Sequence, residues 1–238
     1  PLGIRNLANL RFKFDCDLLI QNLNINSVKK ITRSTLQKFG SIYWHCIAGQ
    51  TVFPVQIAEK YKIPLIIWGA HQGTEQVGMF SHLNEVEMTR RYRKDHDLMG
   101  FEADDLVEDY DLLREGDIFQ YRYPSFDNIK KIGIRGIYLS NFIRWDPKSQ
   151  HEFMIKKYNY QSASFLRTVD TYDFVDCFNY MHLHDLIKFI KHGYSKITDH
   201  LSREIRHGRI SKEKALLLEK EFTFSKVKIP FSKGIFTF

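Results

Sequence analysis

The clearest hydrophobic pattern in the chain runs over residues 43–75, YWHCIAGQTVFPVQIAEKYKIPLIIWGAHQGTE. Val52, Val55, Ile57 and Ala58 fall at helical spacing, so the first half predicts a helix with one apolar face. Lys62 closes it and Pro64 forbids continuation, because proline has no amide hydrogen and clashes with the preceding turn. Leu65, Ile66, Ile67 and Trp68 are continuously apolar, which predicts a short strand covered on both faces. Gly69 lets the backbone turn into a polar loop that ends at Glu75. In open α/β sheets the ligand sits at this carboxyl end of a strand.

The same reading extends in both directions. Residues 4–12 predict a helix, residues 16–22 (CDLLIQN) a strand, and residues 27–39 a helix with Gly40 at its C′ position. This order of helices and short buried strands implies a parallel sheet flanked by helices. Downstream, residues 84–93 read as a polar helix and the acidic stretch 101–110 as a helical turn or two. Tyr121, Tyr123 and Pro124 fall in a loop, residues 131–139 resume β character, and residues 142–145 continue it. Residues 149–158 read as a helix. A helical block begins near Phe178 and is interrupted by Gly193; a second helix covers 199–207 and ends at Gly208. Ser211 caps a third, with Glu213 in its first turn. Residues 223–238 alternate apolar and polar positions without an acid, which suits either a strand or a poorly ordered tail. The expected organisation is an α/β part over 1–75, an insertion with the remaining α/β elements over 76–160, a helical region over 161–222, and a tail of unclear structure over 223–238.

The chain has 238 residues, 43% hydrophobic and 26% charged, enough for a sizeable core. The net charge of +7 favours anionic partners: a nucleotide, a phosphorylated sugar, nucleic acid or an anionic membrane. The basic residues are scattered, so nucleic acid is not the expected partner. The three cysteines, Cys16, Cys46 and Cys177, lie far apart with no CxxC, which points to a reducing cytoplasm. No apolar run approaches the roughly 18 residues of a membrane span, and no signal peptide is visible, so no membrane partner is expected. The chain enters a helix directly after Pro1, which reads as a start other than the native one.

Several segments in order resemble the N-acetyl sugar amidotransferase family, which includes WbpG-like and PseA-like enzymes of the PP-loop ATP pyrophosphatase superfamily. They are GIRNL near the start, YWHCIAGQTVFPVQIAEKYKIPLIIWG, RGIYLSNFIRWDP, and HDLIKFIKHGYSKITDHLSREIRHGRIS. The resemblance covers roughly residues 3 to 222. It implies a partial PP-loop, adenine nucleotide alpha hydrolase-like α/β fold with a C-terminal helical region. It also implies conversion of a sugar acetamido group to an acetamidino group, in bacterial lipopolysaccharide, O-antigen or flagellin-glycan biosynthesis. ATP with Mg²⁺ would adenylylate the amide oxygen, and ammonia from a glutaminase subunit would displace AMP. The substrate would be a nucleotide-linked or free N-acetyl sugar. A site that excludes water would protect the activated imidate.

The chain departs from the family in three places. It contains no SGG or GGK, so the SGGKDS phosphate loop is absent, and these residues alone are expected to bind ATP poorly. Where many members carry CxxC, this chain has Tyr43-Trp44-His45-Cys46. The residues after Phe222 do not follow the family.

Site candidates combine position and resemblance. His71, Gln72 and Glu75 hang on the loop after the predicted strand; Glu75 suits Mg²⁺ or a proton, His71 and Gln72 the substrate. The bland alternative is a set of solvated loop residues. Gly69, Arg5 and Asn6 are candidates for nucleotide contact. Lys196, Asp199, Arg203 and Arg206 share a helical face suited to a sugar-nucleotide phosphate, or to a solvated surface with an Asp199–Arg203 ion pair. Tyr138 and Trp145 are candidate walls of the sugar site, or core aromatics. Cys46 with His45, and Cys177 with His182 and His184, invite a zinc reading, although the spacing is not a known zinc pattern and both cysteines suit a buried apolar role. Two rival functions stand beside the amidotransferase: a tRNA-modifying PP-loop ATP pyrophosphatase, and a catalytically incomplete binding protein.

Overall fold

A computed structural model describes residues 2–71, 87–107, 113–172, 174–175 and 178–224. Its contacts gather into a central unit, Ile20–Trp145, and a terminal unit formed by Pro1–Leu19 with Asp146–Phe238.

The central unit is built on helices α2 (Ile25–Phe39) and α3 (Trp44–Tyr61). Asn24 starts α2: its side chain accepts the amide of Asn26 at 2.9 Å, relieving one of the unpaired donors at a helix start. Gly40, at φ 65°, ends it in the left-handed conformation expected of that glycine. Lys62 ends α3 in the same conformation, two residues before Pro64, as the pattern predicts. Ile31, Trp44, Ala48, Leu98, Leu106, Ile118 and Tyr121 close into one core, and the Trp44 indole donates to the Phe101 carbonyl at 2.9 Å.

Strand β1 (Leu65–Trp68) follows α3 and packs on it. It pairs in parallel with β2 (Arg135–Tyr138), Leu65 opposite Arg135 and Trp68 opposite Tyr138. The parallel sheet flanked by helices is therefore present, with two strands among the described residues. The expected burial of both faces is not: Leu65 and Ile67 are 47% and 57% exposed. Alternate side chains of a strand point to opposite faces, and only one face of so small a sheet is packed. At Gly136 a Cβ would stand 2.6 Å from the Trp68 indole nitrogen, so β2 needs a glycine there.

Four further expectations change. Residues 16–24 form no strand; Leu19 and Ile20 are exposed where the chain passes from one unit to the other, and the described sheet offers them no neighbour to pair with. The polar helix expected over 84–93 begins only at Arg90, capped by the Thr89 hydroxyl at 3.1 Å from the Tyr92 amide. It runs on as a wide π turn, Arg93–Asp97, while Glu87 bridges Ile137 beside the sheet. The β character expected over 131–139 starts late, because Lys131 and Ile132 finish a helix that Ser125 caps and Gly133 ends. In chain order the remaining central helices are α4 (Ala103–Val107), α5 (Glu115–Ile118) and α6 (Phe126–Ile132). A 3₁₀ turn, Leu139–Asn141, replaces the continued strand after β2.

The terminal unit is helical: α1 (Leu2–Phe14), α7 (Pro147–Tyr158), α8 (Phe178–His192), α9 (Lys196–Arg206) and α10 (Lys212–Phe224). The helices expected near 4–12, 149–158, 178 onward, 199–207 and after Ser211 are all there. Ile197, Leu201 and Ala215 form the α9–α10 core with Ile210, Leu218 and Phe222. Among the described residues no helix is long and apolar enough to cross a membrane.

Candidate functional site

The terminal unit buries more charge than its packing requires. Asp185 on α8 is 2% exposed. One of its oxygens accepts the Lys196 backbone amide at 2.6 Å, so it caps α9 from a different helix. The other accepts the Nε of Arg167, itself 4% exposed. Three buried polar atoms around this pair have no hydrogen-bond partner among the described residues: Arg167 Nη2, His182 Nε2 and Ser195 Oγ. Ser195 occupies the N-cap position of α9 without capping it. Native interiors leave few such atoms, and a ligand is one of the things that completes them.

The electrostatics around them are positive. His182 lies flat on Phe165 at 4.6 Å. Burial first, and the Arg167 charge second, hold its pKa below the usual value, so its imidazole is neutral near neutral pH. His184 is lowered to about 4, first by burial and then by Lys188, Lys196 and Lys191, with Asp185 opposing. The Lys196 ammonium stands 5.7 Å above the Phe165 ring. A second group sits on the buried side of α9: Arg203 donates to the Tyr172 hydroxyl, and Asp170 lies 3.5 Å from both Arg203 and His200. The Thr168 hydroxyl and His200 Nδ1 are 2.7 Å apart. A helix N-terminus, an arginine with an unused donor, an uncapping serine and a nearby lysine together suit an anionic group, phosphate above all.

The candidates from the sequence are distributed as follows. Lys196, Asp199, Arg203 and Arg206 do share one side of α9, but that side straddles its buried edge. Arg203 points inward and Arg206 is exposed. Asp199 pairs with Lys188, and Arg203 takes Asp170 and Tyr172 as partners, in place of the expected Asp199–Arg203 pair. Gly69 and His71 follow β1, and none of the described residues lies within 4 Å of where a Gly69 Cβ would be. Gln72, Glu75 and Cys177 lie outside the described residues. Tyr138 is buried in the central unit, 6.2 Å from the Tyr92 ring, and Trp145 is half-buried there. Arg5 is exposed, whereas Asn6 gives and accepts one hydrogen bond with the Gln161 backbone, both at 2.8 Å, which occupies its amide structurally. Cys46 Sγ is 3.3 Å from His45 Nε2. Among the described residues no group of three or more His, Cys, Asp or Glu side chains is placed to hold a metal.

Sequence reasoning missed Arg167, Thr168, Asp170, Asp185, Ser195 and His200. Each looks like an ordinary surface residue until the fold buries it. It also missed a cleft of about 760 Å³ in the central unit, lined by Arg90, Arg91, Lys94, Arg135 and acidic neighbours. There the charges neutralise one another: Arg90 with Glu102 at 3.4 Å, Lys94 with Asp105 at 3.1 Å, and Arg135 with Glu87.

Residues 141–235 match the family model described as LPS biosynthesis protein WbpG-like, C-terminal domain. That stretch of the chain is similar to the WbpG-like C-terminal domain. The matched stretch holds α7 to α10 and the whole of the buried polar cluster, while the cleft of the central unit lies outside it. The WbpG-like resemblance read from the sequence is thereby supported over this part of the chain, and the match runs past Phe222, correcting the expectation that the chain leaves the family there. No curated protein matches the chain.

Proposed function

We propose that this protein belongs to lipopolysaccharide biosynthesis and takes part in the ATP-dependent conversion of a sugar acetamido group to an acetamidino group. One observation carries the reading: the WbpG-like match falls on the segment that buries Arg167, His182 and Ser195 with unused hydrogen-bonding atoms. In this account the terminal unit holds the phosphate of a nucleotide-linked N-acetyl sugar. Arg167 and Ser195 donate to it, the α9 N-terminus and Lys196 supply positive potential, and Arg206 waits at the exposed edge.

The reaction balances as two steps. The acetamido oxygen attacks the α-phosphorus of ATP and pyrophosphate leaves. Ammonia then adds to the imidate carbon, AMP leaves with the former amide oxygen, and a proton is released. AMP makes a leaving group of an oxygen that otherwise departs poorly. ATP, Mg²⁺ and a glutaminase partner are parts of the proposal. So are contacts of His71, Gln72, Glu75 and Gly69 with the reacting groups. The 238 residues contain no SGGKDS loop, so nucleotide turnover is the sharpest test of this protein. Incubated with ATP, Mg²⁺, ammonium and a panel of N-acetyl sugars, it is expected to release AMP only when sugar and ammonia are both present. Mass spectrometry should show NH in place of the amide oxygen. AMP release without any sugar dependence, or none with any sugar, contradicts the proposal.

A further inference from the structure

Within the terminal unit, α1 and α7 border an apolar groove of about 410 Å³. Leu7, Leu10, Phe14, Met154, Tyr158 and Val175 form much of its wall. Asn6 and Asn9 also line it, but their amides are engaged by the backbone of Gln161 and Tyr158. The groove therefore suits an apolar occupant. Helix α1 buries none of its residues. Ile4 is 74% exposed and Phe12 83%, and Phe153 on α7 is also exposed. An apolar groove with exposed apolar side chains on the helices that border it is the kind of surface that marks an interaction site.

The charges around the groove say what kind. Phe14 and Tyr158 meet at 4.9 Å, which brings the last turns of α1 and α7 together. Those turns carry Arg11 and Lys13, and Lys156 and Lys157. The Lys157 ammonium stands 5.5 Å over the Tyr158 ring and 5.2 Å over Phe153. No ion pair involves any of these four cations among the described residues, whereas Lys148, Lys188 and Arg209 of the same unit are all paired. With Lys148 set aside against Glu204, the balance stays positive: Arg5, Arg11, Lys13, Lys156 and Lys157 stand against Asp15, Asp17 and Glu152. Exposed aliphatic and aromatic side chains bordered by unpaired cations are the chemistry of a helix lying in a membrane interface.

We propose that the α1–α7 face docks on an anionic phospholipid surface, with an acyl chain in the groove and Arg11, Lys13, Lys156 and Lys157 on lipid phosphates. This revises the sequence-based expectation of no membrane partner, and it stands independently of the proposed reaction. Flotation of the protein with phosphatidylglycerol vesicles, against phosphatidylcholine vesicles, tests it. Binding should be at least roughly tenfold stronger to the anionic vesicles and should fall about tenfold or more in the Lys156→Glu/Lys157→Glu variant. Leu7→Gln and Leu10→Gln should each weaken it severalfold, since both line the groove and the changes remove apolar area from it. Circular dichroism should be unchanged in all variants, because each altered side chain is exposed. Failure to bind phosphatidylglycerol vesicles overturns the proposal. Equal binding to both vesicles does so too, as does anionic binding that none of these variants alters, which would reflect only the general positive charge. Self-association or an acidic protein partner lost with the same variants, without vesicle binding, assigns the face to protein contact and also overturns it.

Discussion

Both units bury arginines, and they complete them differently. In the central unit Arg93 is fully buried and every arm of its guanidinium is occupied. Nε donates to the Thr51 hydroxyl at 2.8 Å, Nη1 to Glu102 at 3.1 Å, and Nη2 to the Ala48 carbonyl at 3.3 Å. The Tyr123 ring covers it at 5.4 Å. In the terminal unit Arg167 is nearly as buried, but only its link to Asp185 is made and Nη2 is left over beside His182 and Ser195. A closed network joins α3 to the turn at Arg93 and to Glu102, and asks for nothing more. An open one, inside the segment that matches the WbpG-like model, leaves donors over, and the proposed ligand is what would use them. Buried charge by itself does not mark a site; buried charge with unused valences does.

The largest expected effect tests the closed network. Arg93→Met should destabilise the fold by about 3 kcal/mol, because Glu102 loses its buried partner and keeps only the half-exposed Arg90 at 3.4 Å. Urea denaturation measures this, and a loss below about 1 kcal/mol would mean the pair is not structural. Acid comes next and acts on both units. Burial, opposed by a backbone hydrogen bond at Ile42, holds His45 at about 4, and His184 is also at about 4. Folded values below the unfolded 6.5 mean that the unfolded chain binds more protons between those limits. Stability from these groups is therefore complete above pH near 6.5 and lost as pH falls towards 4, by on the order of 2 kcal/mol for each. Denaturation midpoints at neutral and acidic pH, with His45→Gln and His184→Gln for each unit, check the assignment; a flat profile contradicts it.

A smaller loss, about 1–3 kcal/mol, is expected for Gly136→Ala, which drives a methyl group into the Trp68 indole and displaces either the ring or β2. An unchanged thermal midpoint would show that the indole moves freely. The smallest stability effect belongs to Ser195→Ala. An N-cap serine that caps usually contributes about 1 kcal/mol, but Ser195 makes no capping bond and Asp185 fills that role, so the change should stay within roughly 0.5 kcal/mol. A full capping loss would remove Ser195 from the ligand site.

The sequence makes the local elements legible and the site mostly not. Helices α2 and α3 carry their own boundaries in Gly40, Lys62 and Pro64, and the apolar run at β1 is short enough to be only a strand. The expected strand over 16–22 fails because apolar character does not supply a hydrogen-bonding neighbour. Helix α6 is hidden because its start depends on one serine hydroxyl reaching the Asn128 amide. The polar cluster is hidden for a stronger reason. Asp185 caps a helix that starts eleven residues later, and Arg167 reaches Asp185 across eighteen residues, separations that no periodicity encodes. The α9 cations stood out from their spacing, yet the same spacing cannot tell that Arg203 turns inward while Arg206 stays in solvent.

The central claim is that the open network binds the sugar nucleotide, and the same conservative change in each unit tests it most directly. Arg167→Lys keeps the charge beside Asp185 and removes the unused Nη2 donor; Arg93→Lys keeps the charge beside Glu102 and removes satisfied bonds. Calorimetric titration with a uridine diphosphate N-acetyl sugar, alongside urea denaturation, reads both. Arg167→Lys should weaken binding about tenfold or more with an unchanged denaturation midpoint, the loss of one charge-assisted hydrogen bond. Arg93→Lys should cost about 2 kcal/mol of stability and leave binding unchanged. Equal affinity in wild type and Arg167→Lys, or no binding of the sugar nucleotide by the wild-type chain, contradicts the account.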